Sequence, residues 1–291
     1  MSILLDRDTR VLVQGITGQE GRFHTELMLA YGTRIVGGVT PGKGGTREQG
    51  LPIFNSVDEA VAATGAEASI LFVPPLYAAD GIAEAAAAGI RLVVATTDGM
   101  PVHHMLRLLP WLQRTSCRLI GPNCPGIISP GQAKLGFMPN TAFAPGPVGM
   151  ISKSGSLSYE VAHCLTQAGI GQSTVAGIGG DPVRGTTYTD LLPLFCTDPD
   201  TRVLVLLGEI GGVEEERAAA WLQANGCPKP VVAYLVGRHT PEGRRMGHPG
   251  AIWRGESGAW QKKVAALTAA GAVVVRSPWE VAEQVAALTQ R

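Results

Sequence analysis

The chain has 291 residues, 45% of them hydrophobic, and its 24 basic residues balance its 24 acidic ones. That length fills one large core or two ordinary ones, so two α/β domains are the starting expectation. Zero net charge without a lysine or arginine run argues against a nucleic-acid partner, and no apolar run reaches the roughly 18 residues of a membrane helix, so no membrane partner is expected either.

The start, Met1-Ser-Ile-Leu-Leu-Asp-Arg-Asp8, lacks the apolar core of a secretory signal, and the expected location is the cytoplasm. Cys117, Cys124, Cys164, Cys196 and Cys227 form no Cys-x-x-Cys pair, and an odd count suits free thiols in a reducing compartment better than a disulfide framework.

Short β-branched runs alternate with alanine-rich stretches of helical period, the pattern of parallel sheet covered by helices. The first half predicts strands at Arg10–Gln14, Arg34–Val39, Ala68–Val73, Arg91–Thr96 and Arg118–Gly121. Helices are predicted at 21–31, 57–64, 77–88 and 102–114, the last kinked or ended by Pro110. Phe143-Ala-Pro-Gly-Pro147 reads as a boundary that neither kind of element continues.

A second series then predicts strands at Val148–Ile151, Thr174–Ile178, Arg202–Leu207, Pro230–Val236 and Ala272–Val275. Its helices fall near 156–168, 187–196, 214–224, 258–270 and 279–289. Two doubly wound parallel-sheet domains fit this count, and ligands of such sheets sit beyond the carboxyl ends of the strands.

The loops at those ends carry the chemistry. After the first strand, Gly15-x-x-Gly18-x-x-Gly21 opens a helix, and such glycines bring backbone amides close to a phosphate. After the second strand, where a dehydrogenase places an acidic residue for a ribose, stands Thr40-Pro-Gly-Lys-Gly-Gly45; Lys43 suits a phosphate, although a solvated turn lysine is the plainer reading. Val73-Pro-Pro75, Thr96-Thr-Asp-Gly-Met-Pro101 and Gly121-Pro-Asn-Cys-Pro-Gly126 are expected to line the same crevice, with Asn123 and Pro125 against a ligand.

In the second half, Ser154, Gly155 and Ser156 offer cap oxygens and free amides at a helix start, where the dipole favours an anion. Glu209 stands alone in Gly208-Glu-Ile-Gly-Gly212. His248, in Gly243-Arg-Arg-Met-Gly-His-Pro-Gly250, has the open surroundings of a reactive imidazole. A carboxylate at 209 that accepts from one ring nitrogen presents the other for phosphorylation.

Together these residues resemble the α-subunit family of succinyl-CoA synthetase, the small subunits of acyl-CoA synthetases that form nucleoside diphosphate. The resemblance spans nearly the whole chain in six ordered blocks: 14–18, 36–45, 121–126, 177–182, 208–212 and 245–248. It implies an N-terminal Rossmann-like CoA-binding domain, residues 1–142, then a flavodoxin-like ligase domain, residues 147–291. It also implies coenzyme A on Thr17, Gly18, Gln19, Glu20, Lys43, Pro74, Thr96, Thr97 and Asp98, alongside Asn123 and Pro125. Tyr159 is implied near the substrate, Ser154, Gly155 and Ser156 around a phosphate, and His248 as the phosphate carrier steadied by Glu209.

The implied reaction joins a small dicarboxylate, succinate first, to coenzyme A while ATP or GTP is cleaved to the diphosphate and phosphate. No Walker-type loop is present and no metal site is expected in this chain. The resemblance implies the nucleotide and its Mg2+ on an ATP-grasp β subunit, in a heterodimer or heterotetramer. Asp98, Lys153 and Pro249 depart from the family's glutamate, arginine and alanine, and Trp253 and Arg254 from its small residues. Asp98 is compatible with a malate-CoA ligase small subunit, which shares these motifs. A CoA- or NAD-binding regulatory protein, which predicts binding without phosphorylation, leaves His248 and Glu209 unexplained. An NAD(P)-dependent oxidoreductase lacks its acidic residue after the second strand.

Overall fold

The computed structural model describes residues 2–289. They fall into two compact units, one of Leu4–Asn140 with Val183–Gly185 and one made of the remaining residues.

The N-terminal unit runs β1 (Val11–Gln14), α1 (Gln19–Tyr31), β2 (Ile35–Val39), β3 (Arg47–Glu48), β4 (Leu51–Phe54), α2 (Val57–Thr64) and β5 (Ala68–Leu71). It continues with α3 (Pro75–Ala87), β6 (Leu92–Ala95), α4 (Val102–Leu112), β7 (Arg118–Ile120) and the antiparallel hairpin of β8 (Gly126–Ser129) and β9 (Ala133–Gly136). The sheet order is β3-β4-β2-β1-β5-β6-β7, with only the short β3–β4 pair antiparallel. β1, β5 and β6 are buried at every position, as strands covered on both faces must be. Leu12, Leu71 and Val93 of the strands pack with Ile82 and Ala85 of α3 and Met105 and Leu108 of α4 in one core cluster; each large side chain fully removed from water contributes about 1.5–3 kcal/mol.

The C-terminal unit contains β10 (Pro145–Ser152), α5 (Gly155–Gln167), β11 (Gln172–Gly177), α6 (Tyr188–Thr197), β12 (Val203–Glu209), α7 (Glu214–Asn225) and β13 (Val231–Val236), then α8 (Trp260–Ala269), β14 (Val273–Val275) and α9 (Pro278–Thr289). These strands are parallel in the order β14-β13-β12-β10-β11. The register pairs Ser152 with both Gly177 and Leu207, so the turns that follow β10, β11 and β12 open on one carboxyl edge.

Several expectations need correction. The Phe143–Pro147 segment does continue an element, since β10 begins at Pro145. The register with β11 shifts between Pro145 and Val148, and at such a bulge a proline removes no regular ladder bond. The helix predicted over 102–114 runs through Pro110 and stops at Leu112, and α3 starts two residues early because Pro75 suits a first helical turn. The β3–β4 pair and the β8–β9 hairpin lie in segments for which the sequence predicts no strand.

The cysteine expectation is also corrected. Cys196 and Cys227 are joined, with Cα atoms 5.5 Å apart, while Cys117, Cys124 and Cys164 are free. The two partners are 31 residues apart and meet only because the end of α6 packs beside the turn after α7, a juxtaposition that spacing does not encode. Closing a loop of that length constrains the unfolded chain by about 3–4 kcal/mol. Guanidinium unfolding of Cys196→Ser is expected to show that loss against the oxidised protein, with the reduced wild type matching the variant. An identical midpoint with and without reductant would mean that the pair stays as thiols in solution.

Candidate active site

The N-terminal unit places its glycine loop at the carboxyl end of β1. Gly15 takes φ +79°, and a Cβ there would lie 2.3 Å from the carbonyl oxygen of Phe72; one on Gly21 would lie 2.2 Å from the carbonyl oxygen of Gly15. Glycine is thus required for the helix to start this close to the strand. Gly18 caps α1 with no side-chain bond, which leaves the first-turn amides untaken by a cap.

Beside this loop is a cavity of about 440 Å3 whose walls include Gln14, Thr17, Gly18, Phe72, Pro74 and Tyr77. Lys43 donates from Nζ to Thr17 Oγ1 at 3.1 Å, and Thr17 and Thr40 hydroxyls are 3.3 Å apart, so the second loop folds onto the first. Thr97 donates to the Val73 carbonyl at 3.3 Å, and the Asn123 amide, in the left-handed region at φ +51°, donates to the Thr97 carbonyl at 2.9 Å. The loops after β5, β6 and β7 are therefore tied together.

Other expected contacts sit differently. Thr96 is buried and donates to the Leu71 carbonyl. Pro125 is buried, with its carbonyl accepting from the Phe137 amide. Asp98 is exposed and accepts from the Gly99 amide, while Gln19 and Glu20 are exposed, Glu20 lying 3.4 Å from His24. None of these five, nor Lys43 or Asn123, is among the cavity walls. Tyr77, Asp80 and Glu84 line the cavity without a sequence signal, because only the packing of α3 turns them toward it.

In the C-terminal unit, Ser154 caps α5 and accepts from the Leu157 amide at 3.3 Å. Ser152 donates to the Ser154 carbonyl at 2.7 Å, and the Ser154 and Ser156 hydroxyls are 3.4 Å apart. Tyr159, half-buried on α5, meets the ring of Phe143 edge-on at 6.2 Å.

His248 Nδ1 lies 2.7 Å from Glu209 Oε2, across 39 residues of chain. A carboxylate only accepts, so Nδ1 carries the proton and Nε2 keeps its lone pair. The ring lies against Gly180, where a Cβ would fall 2.2 Å from the imidazole Cγ. Only a glycine admits the ring at that position. The hydrogen bond to Glu209 raises the imidazole pKa above its ordinary value of 6.5; burial opposes this, the charges of Glu209 and Asp181 reinforce it, and Lys153 counters.

Beneath these groups is a chain of buried charges that the sequence reading missed. Glu215 on α7 is 2.7 Å from Lys153 Nζ and 2.6 Å from Lys263 Nζ, and the side chains of all three are 3% exposed or less. Burial pushes the Glu215 carboxyl up, yet the two ammonium groups outweigh it and hold it down at about 2. In the sequence, a Glu-Glu-Glu run at a helix start and a Lys-Lys pair look like solvated faces.

Residues 6–99 match the CoA binding domain family, and residues 151–273 match the CoA-ligase family. The ADP-forming succinate–CoA ligase subunit alpha 2 of Archaeoglobus fulgidus is 53% identical over 98% of this chain and 99% of its own length. The corresponding alpha subunit of Aquifex aeolicus is 50% identical over 98% and 94%. Among solved structures, ATP citrate lyase from Methanothrix soehngenii, in complex with citrate and coenzyme A, superposes with a TM-score of 0.85 at 25% identity over 98% of this chain. The chain spans about half of that protein, 51% of its length. With a CoA-binding and a CoA-ligase half in this order, and half of all residues shared with these subunits end to end, the chain belongs to the family of succinate–CoA ligase alpha subunits.

Proposed function

We propose that this chain is the alpha subunit of a nucleoside-diphosphate-forming succinate–CoA ligase that works through a phosphohistidine at His248. The observation that carries the reading is the 2.7 Å contact of Nδ1 with Glu209, which leaves Nε2 as the nucleophile. Nε2 attacks the terminal phosphorus of a nucleoside triphosphate, and the diphosphate leaves. A carboxylate oxygen of succinate then attacks that phosphorus, the N–P bond breaks with its electron pair returning to Nε2, and an acyl phosphate forms. This step matters because phosphate leaves an acyl carbon far more readily than oxide does. Glu209 stays paired with Nδ1–H throughout, so charge developing on the ring is compensated on the far side. Ser154, Gly155 and Ser156 offer hydroxyls and helix-start amides to the phosphoryl group, and Tyr159 stands on the same helix for the acid.

Coenzyme A, when bound, supplies the thiol that takes the acyl group and releases phosphate. The glycine loop with uncapped amides, the Lys43–Thr17 pair and the adjoining cavity, with Pro74 among its walls, fit a phosphorylated ligand of that kind, and we assign Thr97 and Asn123 to it as well. The exposed placements of Gln19, Glu20 and Asp98 leave them free to meet its outer part. We assign ATP or GTP and Mg2+ to an ATP-grasp beta subunit, joined as a heterodimer or heterotetramer, and the cytoplasm as the place of action. Residues 1–142 are the CoA-binding domain and 147–291 the ligase domain in this reading.

The test is incubation of the chain and its beta subunit with γ-labelled ATP and GTP, followed by thioester assays with succinate, malate and itaconate. Acid-labile, base-stable label is expected on the wild type and none on His248→Asn, with thioester formed fastest from succinate. Label that persists in His248→Asn defeats the phosphohistidine, and turnover of malate without succinate defeats the substrate assignment.

A further inference from the structure

Lys153, Glu215 and Lys263 do more than fill space. Burying three charges is expensive, and apolar side chains of the same volume pack there at lower cost. What the charged set provides is a connection. Glu215 Oε1 accepts both from Lys153 Nζ, at 2.7 Å, and from the backbone N–H of Glu209, at 3.2 Å. One oxygen therefore fixes a lysine and the residue that orients His248. Glu215 Oε2 is held by Lys263, whose ammonium also donates to the Gly212 carbonyl at 3.0 Å and to Glu216 at 2.8 Å, anchoring the glycine turn just beyond Glu209.

Lys153 lies between Ser152 at the end of β10 and Ser154 at the cap of α5. Three charges bear on His248, one from each neighbouring strand end: Glu209 at the end of β12, Asp181 after β11 and Lys153 after β10. The first two favour the imidazolium. Of these three charges, Lys153 opposes it.

We propose that Lys153, held by Glu215 and through it by Lys263, is a positioning residue for phosphoryl transfer: the Glu215 oxygen it shares with the Glu209 backbone holds in place the carboxylate that presents His248. This deepens the phosphohistidine reading and rests on it. No contact of Lys153 with the ring is needed, since the effect runs through the Glu215–Glu209 link.

The experiment uses the complex with the beta subunit and compares wild type with Lys153→Met and Lys153→Arg. The rate constant of His248 phosphorylation is expected to fall about tenfold in Lys153→Met, the size of loss that displaced supporting groups cause. Lys153→Arg is expected to restore it. Because Lys153→Met also disturbs a buried pair, the His248 tautomer is read in parallel by ring-nitrogen NMR of the full-length chain. Loss of the Nδ1–H signature in a folded Lys153→Met chain, regained in Lys153→Arg, supports the proposal. An unchanged tautomer and phosphorylation rate overturns it, even if the variant is less stable. Wild-type complex that takes no label at all overturns the phosphohistidine reading instead, which separates the two failures.

Discussion

Glu209→Gln is expected to cut the rate of His248 phosphorylation by about 10^3-fold while leaving the fold intact. An amide of the same shape offers Nδ1 either a donor or a weaker acceptor. Where it donates, the imidazole proton moves to Nε2 and the nucleophilic lone pair is lost; the corresponding carboxylate-to-amide change in a serine protease triad costs about 10^4-fold. The pH dependence carries the sign. In the wild type the hydrogen bond from Glu209 raises the His248 pKa above 6.5, so phosphorylation increases with pH through a midpoint above the ordinary imidazole value. In Glu209→Gln that limb moves to lower pH as the overall rate falls. The same shift bears on stability: a raised imidazole pKa contributes stability below 6.5 that is lost as pH rises through the higher, folded value. Single-turnover labelling across pH measures the limb, and an acid limb that stays put shows that Glu209 does not set the ring's protonation.

The second large effect is thermodynamic. Glu215→Ala leaves Lys153 and Lys263, with side chains 3% and 0% exposed, facing one another without the carboxylate between them. Removing one member of a fully buried ion pair costs about 3–5 kcal/mol, because the remaining charge has lost both solvent and partner. For a unit of this size the melting temperature is expected to fall on the order of 10 °C. The carboxyl, depressed from 4.5 to about 2, contributes stability that is present above 4.5 and is lost as pH falls through about 2. Unfolding of wild type and variant should therefore differ most near neutrality and converge toward strongly acid pH. A Glu215→Ala protein that melts with the wild type at pH 7 would show that the three groups are not buried together in solution.

Much of this was legible in the residues alone. Runs such as Val-Leu-Val-Leu-Leu at 203–207 are too apolar for any place but a sheet covered on both faces, and alternation with alanine-rich helices leaves parallel pairing as the simple topology. The helix ends followed the same local chemistry: Ser56 caps α2 and accepts from the Glu59 amide, and Thr187 with Asp190 forms a capping box for α6. These are short-range effects, and a window of ten residues contains them.

What lay outside such a window was decided by the tertiary structure. Pro145 reads as a break until β11 supplies a register with a bulge to receive it. Cys196 and Cys227 read as unrelated thiols until α6 and the turn after α7 are packed together. Lys153, Glu215 and Lys263 look like three surface charges, since the sequence does not state that residues separated by 62 and then 48 positions return to the same point. The sequence by itself determined the kinds of element, the loops at the strand ends and the reactive residue types, because propensity, capping and periodicity act between near neighbours. Only the fold decided that Glu209 reaches His248 at 2.7 Å over Gly180 and that a lysine pair is locked beneath them. Those are distances between residues far apart in the chain, and they exist only when the core closes.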